Sequence, residues 1–505
     1  MPDEGGVFDD LIEEYYRVWC RYHPAEALAA GDLRVHGLLP ALGDDEFGAL
    51  QSWLESFMVG VGELDTEALD TERRLDLEIA FGAALIEHHD LLEHDWRHRD
   101  PLSFLPLRPL IPRLAATPPE GRGALLERIL PDVPPLVRQA RAHLGRFGPL
   151  VPSLLVEAAI DEGGRLLAWL DDLRSGGCTR LEALPALPQL LEEAREAVRG
   201  YQRFLAREMA PVAEGMPGCG GARFERVMRH RHGCTLPMET LRTRLARWRA
   251  GHPLPAEGAP PGGAALPAAR QLDACREILA QQQRLAGQLA WLPSVDGAPK
   301  GVAWPGVPLA VGRVDAVLWL GGEAVTPARL KSLCLDQGPL GGFLLWRMAG
   351  QTALSWPRRL FPAAAAENAW GLFMRSRLLA SGYLDGSDSR LHAWRLAQAL
   401  EEAQIDLDIH LGGERAEAGL QRLRRAGWDE AGARQRLVVI VRRPGEATAA
   451  VLGWRMLAAL ADGPDAEVGD RLRRVVQAGP VALPLVMRHV FGREAVTAML
   501  EEAGA

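Results

Sequence analysis

The chain has 505 residues, 48% of them apolar and 24% charged, enough for one large helical domain or two lobes sharing a cleft, with a sizeable core. A formal net charge of -9 argues against nucleic acid or an anionic membrane surface as partners, and no run of about eighteen uncharged apolar residues offers a membrane span. Six cysteines, Cys20, Cys178, Cys219, Cys234, Cys275 and Cys334, stand apart with no C-x-x-C pair, which argues against a disulfide framework or structural zinc site and fits a reducing cytoplasm.

The N-terminus is acidic and has no basic n-region, so no signal peptide is expected. Phe8 to Leu28 carries Leu11, Tyr15, Val18 and Trp19 at helical spacing and ends near His23-Pro24. Helical patterns follow over Glu46 to Leu64, Asp70 to His94, Gly121 to Leu144, Pro152 to Leu173 and Pro188 to Met209, the last with a Glu/Arg surface face.

Two runs hold clustered metal-ligand types. In Glu87 to His98, a helix continued to the end would put Asp90, His94 and His98 on one face at i, i+4 and i+8; a solvated helix end is the plainer reading. His230-Arg231-His232-Gly233-Cys234 would align three donors on a strand, but a loop after Met228 is the better expectation. The Pro/Gly-rich stretch 251–267 cannot sustain a regular element and reads as an insertion or linker. It divides an N-terminal helical lobe, 1–250, from a C-terminal lobe, 268–505. A helix is expected over Ala268 to Leu289, and Val314 to Leu320, closed by Gly321-Gly322, is the best strand pattern.

The stretch from Leu335 to Gly453 carries most of the functional content. It contains Leu335-Asp336-Gln337-Gly338-Pro339-Leu340-Gly341, then Glu367-Asn368-Ala369-Trp370-Gly371-Leu372-Phe373, then Ala380-Ser381-Gly382-Tyr383. Asp406-Leu407-Asp408-Ile409-His410 and Arg443-Pro444-Gly445-Glu446-Ala447 follow, with Gly453 beyond. In order and spacing these segments resemble the C-terminal half of the DUF885 family, mostly helical bacterial proteins similar to zinc-dependent peptidases. The opening, with Glu13-Glu14-Tyr15-Tyr16, Pro24-Ala25-Glu26-Ala27 and Leu39-Pro40, resembles that family too.

The family motifs read H-E-x-x-P-G-H, E-G-W-A-L-Y, V-V-D-x-G-x-H and P-G-Q-A-x-x-Y-x-x-G. The resemblance sets Leu335 and Gly341 where the first motif has histidines, Asp336 where it has its glutamate, and Asn368 where the second has glutamate. Trp370, Leu372, Asp406, His410, Pro444, Gly445, Ala447 and Gly453 match; Phe373 and Ala450 replace tyrosines, and Glu446 replaces glutamine. It implies a mainly α, large multi-helix, peptidase-like (neurolysin-like) fold with a deep central cleft and a small β-sheet. The metal ligands are missing. Catalytic zinc needs about three His, Cys, Asp or Glu donors and an open position for water, so no metal and no cofactor is expected. Without an ion to acidify water, Asp336 has no useful proton to remove.

Asp406 and His410, at i and i+4, share a helix face and form a usable acid/base pair, or else a surface ion pair among Glu401, Glu402, Asp408 and Glu414. Asp336, Asp406 and His410 are the candidate catalytic residues. Asn368, Trp370, Phe373, Tyr383, Arg443 and Glu446 are the candidate ligand-binding ones, with Pro444-Gly445 marking a helix start that suits an anion beside Arg443, although structural capping by Glu446 is the plainer reading. Cys334 adjoins the altered motif and, with His410 as base, is a conceivable nucleophile, although free cysteine is more often a small core residue. No G-x-S-x-G or phosphate loop occurs.

Three functions follow, in order of preference. The first is a pseudoenzyme binding a peptide-like or small-molecule ligand or a protein partner, with a homodimer left open. The second is a metal-independent enzyme with repurposed chemistry, in a specialised biosynthetic pathway. The third is a metallohydrolase with relocated ligands.

Overall fold

The computed structural model describes residues 4–502 apart from 31, 33–34, 36, 108–109, 112–113, 115–116, 118, 176–183, 256–263, 265, 287–288, 290–300, 304–309, 312–315, 320–325, 339, 343, 346–354, 383, 385 and 463–464. The protein is mainly α, as its apolar spacing predicts. Its contacts divide it into two units, Met1–Pro217 and Gly218–Ala505. That division precedes the expected one near 250. The helices Gly221–His230 and Met238–Gly251 belong with the C-terminal unit, because the chain around them is hydrogen-bonded to residues far downstream in that unit. Of the expected linker, 256–263 and 265 lie outside the described residues.

In the N-terminal unit, Glu4–Tyr22 buries Phe8, Ile12, Tyr15, Tyr16, Trp19 and Tyr22 along one stripe, the i, i+3/i+4 pattern of a core-facing helix. His23-Pro24 interrupts it before Pro24–Ala29, since proline disfavours helical geometry in the residue before it. Asp44–Glu63 opens with three acids in its first turn, where the helix dipole favours negative charge. The expected helix Gly121 to Leu144 is two, Pro119–Ile129 and Val133–Arg146, separated by a tight turn over Leu130–Asp132. Pro131, Pro134 and Pro135 explain the break, because each lacks the N–H a continuous helix would use. Ser153–Ser175 and Leu187–Phe204 complete the layer around Leu126, Ala140, Val156, Leu170 and Val198. The buried Tyr201 hydroxyl donates to the Pro101 carbonyl at 2.8 Å, so its ring enters the core without an unmatched polar atom.

The C-terminal unit is built on the helix Glu446–Leu460, in which eleven residues are buried. Such all-round burial belongs to a central helix, and this one packs on Ala364–Ala380 and on Gly386–His410. Gly453 permits that proximity: a Cβ there would lie 2.9 Å from Ala369 Cβ and 2.7 Å from Leu483 Cδ1. Pro327–Gln337 packs on Ala364–Ala380 and on Ala268–Ala286, while Ala416–Arg425 and Glu430–Arg442 pack on Gly386–His410. Three short strands, Gly301–Ala303, Ala310–Val311 and Ala316–Trp319, pair with the last in the middle, parallel to the first and antiparallel to the second.

Candidate functional site

Asp406 and His410 lie on the helix Gly386–His410, and both side chains are wholly buried. Asp406 accepts from the backbone N–H of Gly445 at 3.0 Å, that of Thr448 at 3.1 Å and the Thr448 hydroxyl at 2.8 Å. These are donors at the start of the helix Glu446–Leu460, so Asp406 is a cap supplied from another helix. The turn it grips needs Gly445, whose φ of 78° lies in the left-handed region. His410 is fastened on both sides: Nδ1 accepts from the Cys219 N–H at 3.1 Å, which leaves the proton on Nε2 to donate to the Ile440 carbonyl at 3.1 Å.

The two groups are 3.6 Å apart, too far for a hydrogen bond. Burial pushes the Asp406 carboxyl up to about 7, against the lowering by Gly445 and Thr448; burial pushes the His410 imidazole down to about 4. Each polar atom therefore has a partner within the protein, and what the pair does in this arrangement is hold together the Gly386–His410 helix, the start of Glu446–Leu460 and the end of Glu430–Arg442.

Leu335 and Asp336 close the helix Pro327–Gln337, and the chain then turns tightly, with the Gly341 N–H donating to the Gly338 carbonyl at 2.9 Å. A Cβ on Gly341 would lie 2.2 Å from the Asp336 carbonyl oxygen and 2.3 Å from that of Leu335. No side chain, and so no metal-binding one, fits there without moving backbone. Asp336 Oδ1 instead accepts from Arg375 Nε at 2.8 Å and Nη2 at 2.6 Å. Arg375 is 3% exposed, Asp336 35%, and Arg375 Nη2 also donates to the Ser332 carbonyl and hydroxyl. A fixed guanidinium thus supplies positive charge beside this carboxylate.

Asn368 is exposed, and it is Glu367, one residue earlier, whose carboxylate lies beside Gly342. Trp370 is wholly buried, its indole N–H donating to the Leu340 carbonyl at 2.9 Å, with Phe373 packed on it at 5.5 Å between ring centres. Arg443 is exposed and 3.3 Å from Glu446; Tyr383 lies outside the described residues. Cys334 is wholly buried, against another thiol at Cys275.

The residues that sequence reasoning passed over are Arg375, Ser376 and His392. Arg375 left one trace, being with Arg377 one of two cations inside the mostly apolar run 369–379, since a buried cation needs a partner. His392 is 4% exposed and pushed down to about 4 by burial and by the Arg375 charge. Its Nε2 is 3.3 Å from Ser376 Oγ, and its Nδ1 has no hydrogen-bond partner among the described residues. Ser376 donates to the Leu372 carbonyl and accepts from Trp454 Nε1, so its proton is already placed on backbone.

The metal-ligand runs are not assembled as one face. The helix Thr71–Glu93 stops before His94, and Asp95 caps a separate turn, Trp96–His98, so His98 does not continue the line of Asp90 and His94. His230 ends a helix, and after it His232 turns inward to the Pro444 carbonyl at 3.2 Å, pushed down to about 3 by burial. Among the described residues no three His, Cys, Asp or Glu side chains are grouped to hold a metal ion. Leu335 and Gly341 carry no donor atom and Asn368 only a neutral amide, so a zinc ion does not fit the residues at these three positions.

A groove of about 650 Å³ is lined by Arg249, Glu401, Gln404, Asp408, Arg422 and Arg425 among others. Its charges meet one another: Arg422 reaches Glu401 at 2.8 Å, Asp408 at 2.7 Å and Glu414 at 2.9 Å, and Arg249 reaches Glu401 at 3.2 Å.

No protein-family model and no curated protein matches this chain. Among solved structures it is similar to a candidate lipoprotein of unknown function from Shewanella oneidensis, at 11% identity and TM-score 0.74, over 97% of this chain and 99% of that one. It is also similar to a candidate lipoprotein from Colwellia psychrerythraea, at 12% identity and TM-score 0.68, over 99% of each. The class defined by these likenesses is a large, mainly helical fold, and at such identities the likeness concerns the fold alone.

Proposed function

We propose that this chain is a catalytically degenerate relative of the DUF885 zinc-dependent peptidases, one that binds a peptide-like or small-molecule ligand in the old cleft without metal-dependent hydrolysis. The observation that carries the reading is the closure around Gly341, where a side chain has no room. The Arg375 guanidinium on Asp336 supports it, since Oδ1 of that carboxylate is already taken by two charge-assisted hydrogen bonds. The same reading keeps the protein in the cytoplasm, with any protein partner or homodimer bound through the scaffold.

The test is elemental analysis of protein purified without chelator, paired with calorimetric titration of a short-peptide panel and mass spectrometry of the mixture afterwards. Zinc well below one ion per chain, saturable peptide binding and intact peptides are expected. Stoichiometric zinc, or chelator-sensitive cleavage, would overturn the loss of hydrolysis; absence of binding across the panel would overturn the peptide-like ligand. Cell fractionation that finds the chain in membranes would overturn the cytoplasmic placement.

A further inference from the structure

Cys275 on the helix Ala268–Ala286 and Cys334 on the helix Pro327–Gln337 bring their sulfur atoms to 3.5 Å. Both are wholly buried, in a small cluster with Leu279 and Leu330 whose cover is the half-buried Leu266, Ala274, Ile278 and Leu333. This cluster has four buried members, far fewer than the core of the N-terminal unit. Local parting of two helices is enough to admit a molecule the size of water.

We propose that Cys275 and Cys334 are a redox modification site, a vicinal dithiol that closes to a reversible disulfide and ties these two helices together one residue ahead of Leu335 and Asp336. The sulfur separation must shorten to about 2.05 Å, a movement on the scale of side-chain rotation. Either sulfur can donate the hydrogen bond between them; with Cys334 donating, Cys275 is lowered and Cys334 raised, and Cys275 is then the sulfur that ionises first and reacts.

With hydrogen peroxide as oxidant, the Cys275 thiolate takes one oxygen as the O–O bond breaks, giving a sulfenic acid and hydroxide. Cys334, losing its proton, then attacks that sulfur; the S–S bond forms, the S–O bond breaks and the oxygen leaves as water. Two thiols and one peroxide become one disulfide and two waters. The link closes a loop between positions 59 apart in sequence, so it restricts the unfolded chain and fixes the helix that holds Ser332 and Asp336 against Arg375.

The experiment uses the full chain, reduced, freed of reductant, treated with hydrogen peroxide, alkylated and digested with trypsin without reduction. Cleavage after Arg270, Arg276, Lys331 and Arg347 yields peptides 271–276 and 332–347. The expected product is these two joined, lighter by two hydrogens than their sum and separated again by dithiothreitol, with two of the six thiols lost to titration. The thermal midpoint should rise by about 5 °C, and Cys275→Ser and Cys334→Ala should each abolish the rise. Peptides that both remain alkylated under peroxide that oxidises Cys219, or a link from either cysteine to a third, would overturn the proposal. Mapping on the unmutated chain keeps this decisive even where a variant folds poorly.

Discussion

Asp406 with His410 and Asp336 with Arg375 are both acid–base neighbours in the stretch that carries the peptidase-like motifs, yet they are built on opposite plans. The first pair is sealed, 0% exposed on both sides, and its members bond to backbone and to the Thr448 hydroxyl rather than to each other. The second is an ion pair with one open end, the Asp336 carboxylate being 35% exposed. Two residues that match a family motif can secure a scaffold, as Asp406 and His410 secure three helices, while a second carboxylate, Asp336, is held by a cation from another helix. Matching residues in a motif are therefore weak evidence of retained catalysis.

The largest effect should come from the sealed pair. Asp406→Ala leaves two backbone N–H groups and a hydroxyl without their acceptor, at a cost of about 4 kcal/mol. Asp406→Asn, which keeps one carbonyl oxygen, should cost about half of that. Urea unfolding of both variants checks this; equal and small losses would mean the cap contributes little.

The same pair makes a pH prediction whose sign is worked out from its two shifts. Asp406 is raised from 3.8 to about 7, so its contribution is complete below the lower value and lost as pH rises toward the higher. His410 is lowered from 6.5 to about 4, so its contribution is present above the higher value and lost as pH falls toward the lower. Between roughly pH 4 and 6.5 the unfolded pair holds one proton, on the imidazole, and the folded pair also holds one, on the carboxyl, so the two slopes cancel. Replacing one partner should uncover the other. His410→Gln should lose stability as pH rises through this window and Asp406→Asn as pH falls, each by up to about 1.4 kcal/mol per pH unit relative to the unmutated chain. Parallel pH profiles of urea midpoints for the three proteins would refute the proton exchange.

The fold was largely legible because helix periodicity is local, and so was the shared face of Asp406 and His410. Their burial was not legible, because Glu401, Glu402 and Asp408 on that helix, with Glu414 just beyond it, look like a solvated surface. The structure matches those charges with arginines from other helices: Arg422 takes Glu401, Asp408 and Glu414, while Arg436 takes Glu402. Charge compensation between distant segments leaves no local periodicity to read. The pairing of Arg375 with Asp336, 39 residues apart, escaped notice for the same reason, as did that of Cys275 with Cys334.

The open pair should respond more mildly than the sealed one. Arg375→Met should cost about 2 kcal/mol, less than for a fully buried pair because water reaches the freed carboxylate, and Asp336→Asn should soften that loss when combined with it. The smallest effect belongs to Arg443, 59% exposed and only loosely paired with Glu446. Arg443→Ala should leave stability within about 0.5 kcal/mol. If the proposed peptide-like ligand places a carboxylate there, the same substitution should weaken its binding about tenfold, the scale of a lost charge-assisted contact. Calorimetric titration beside urea unfolding separates the two quantities, because a purely structural arginine would move the second and a solvent-facing one would move neither.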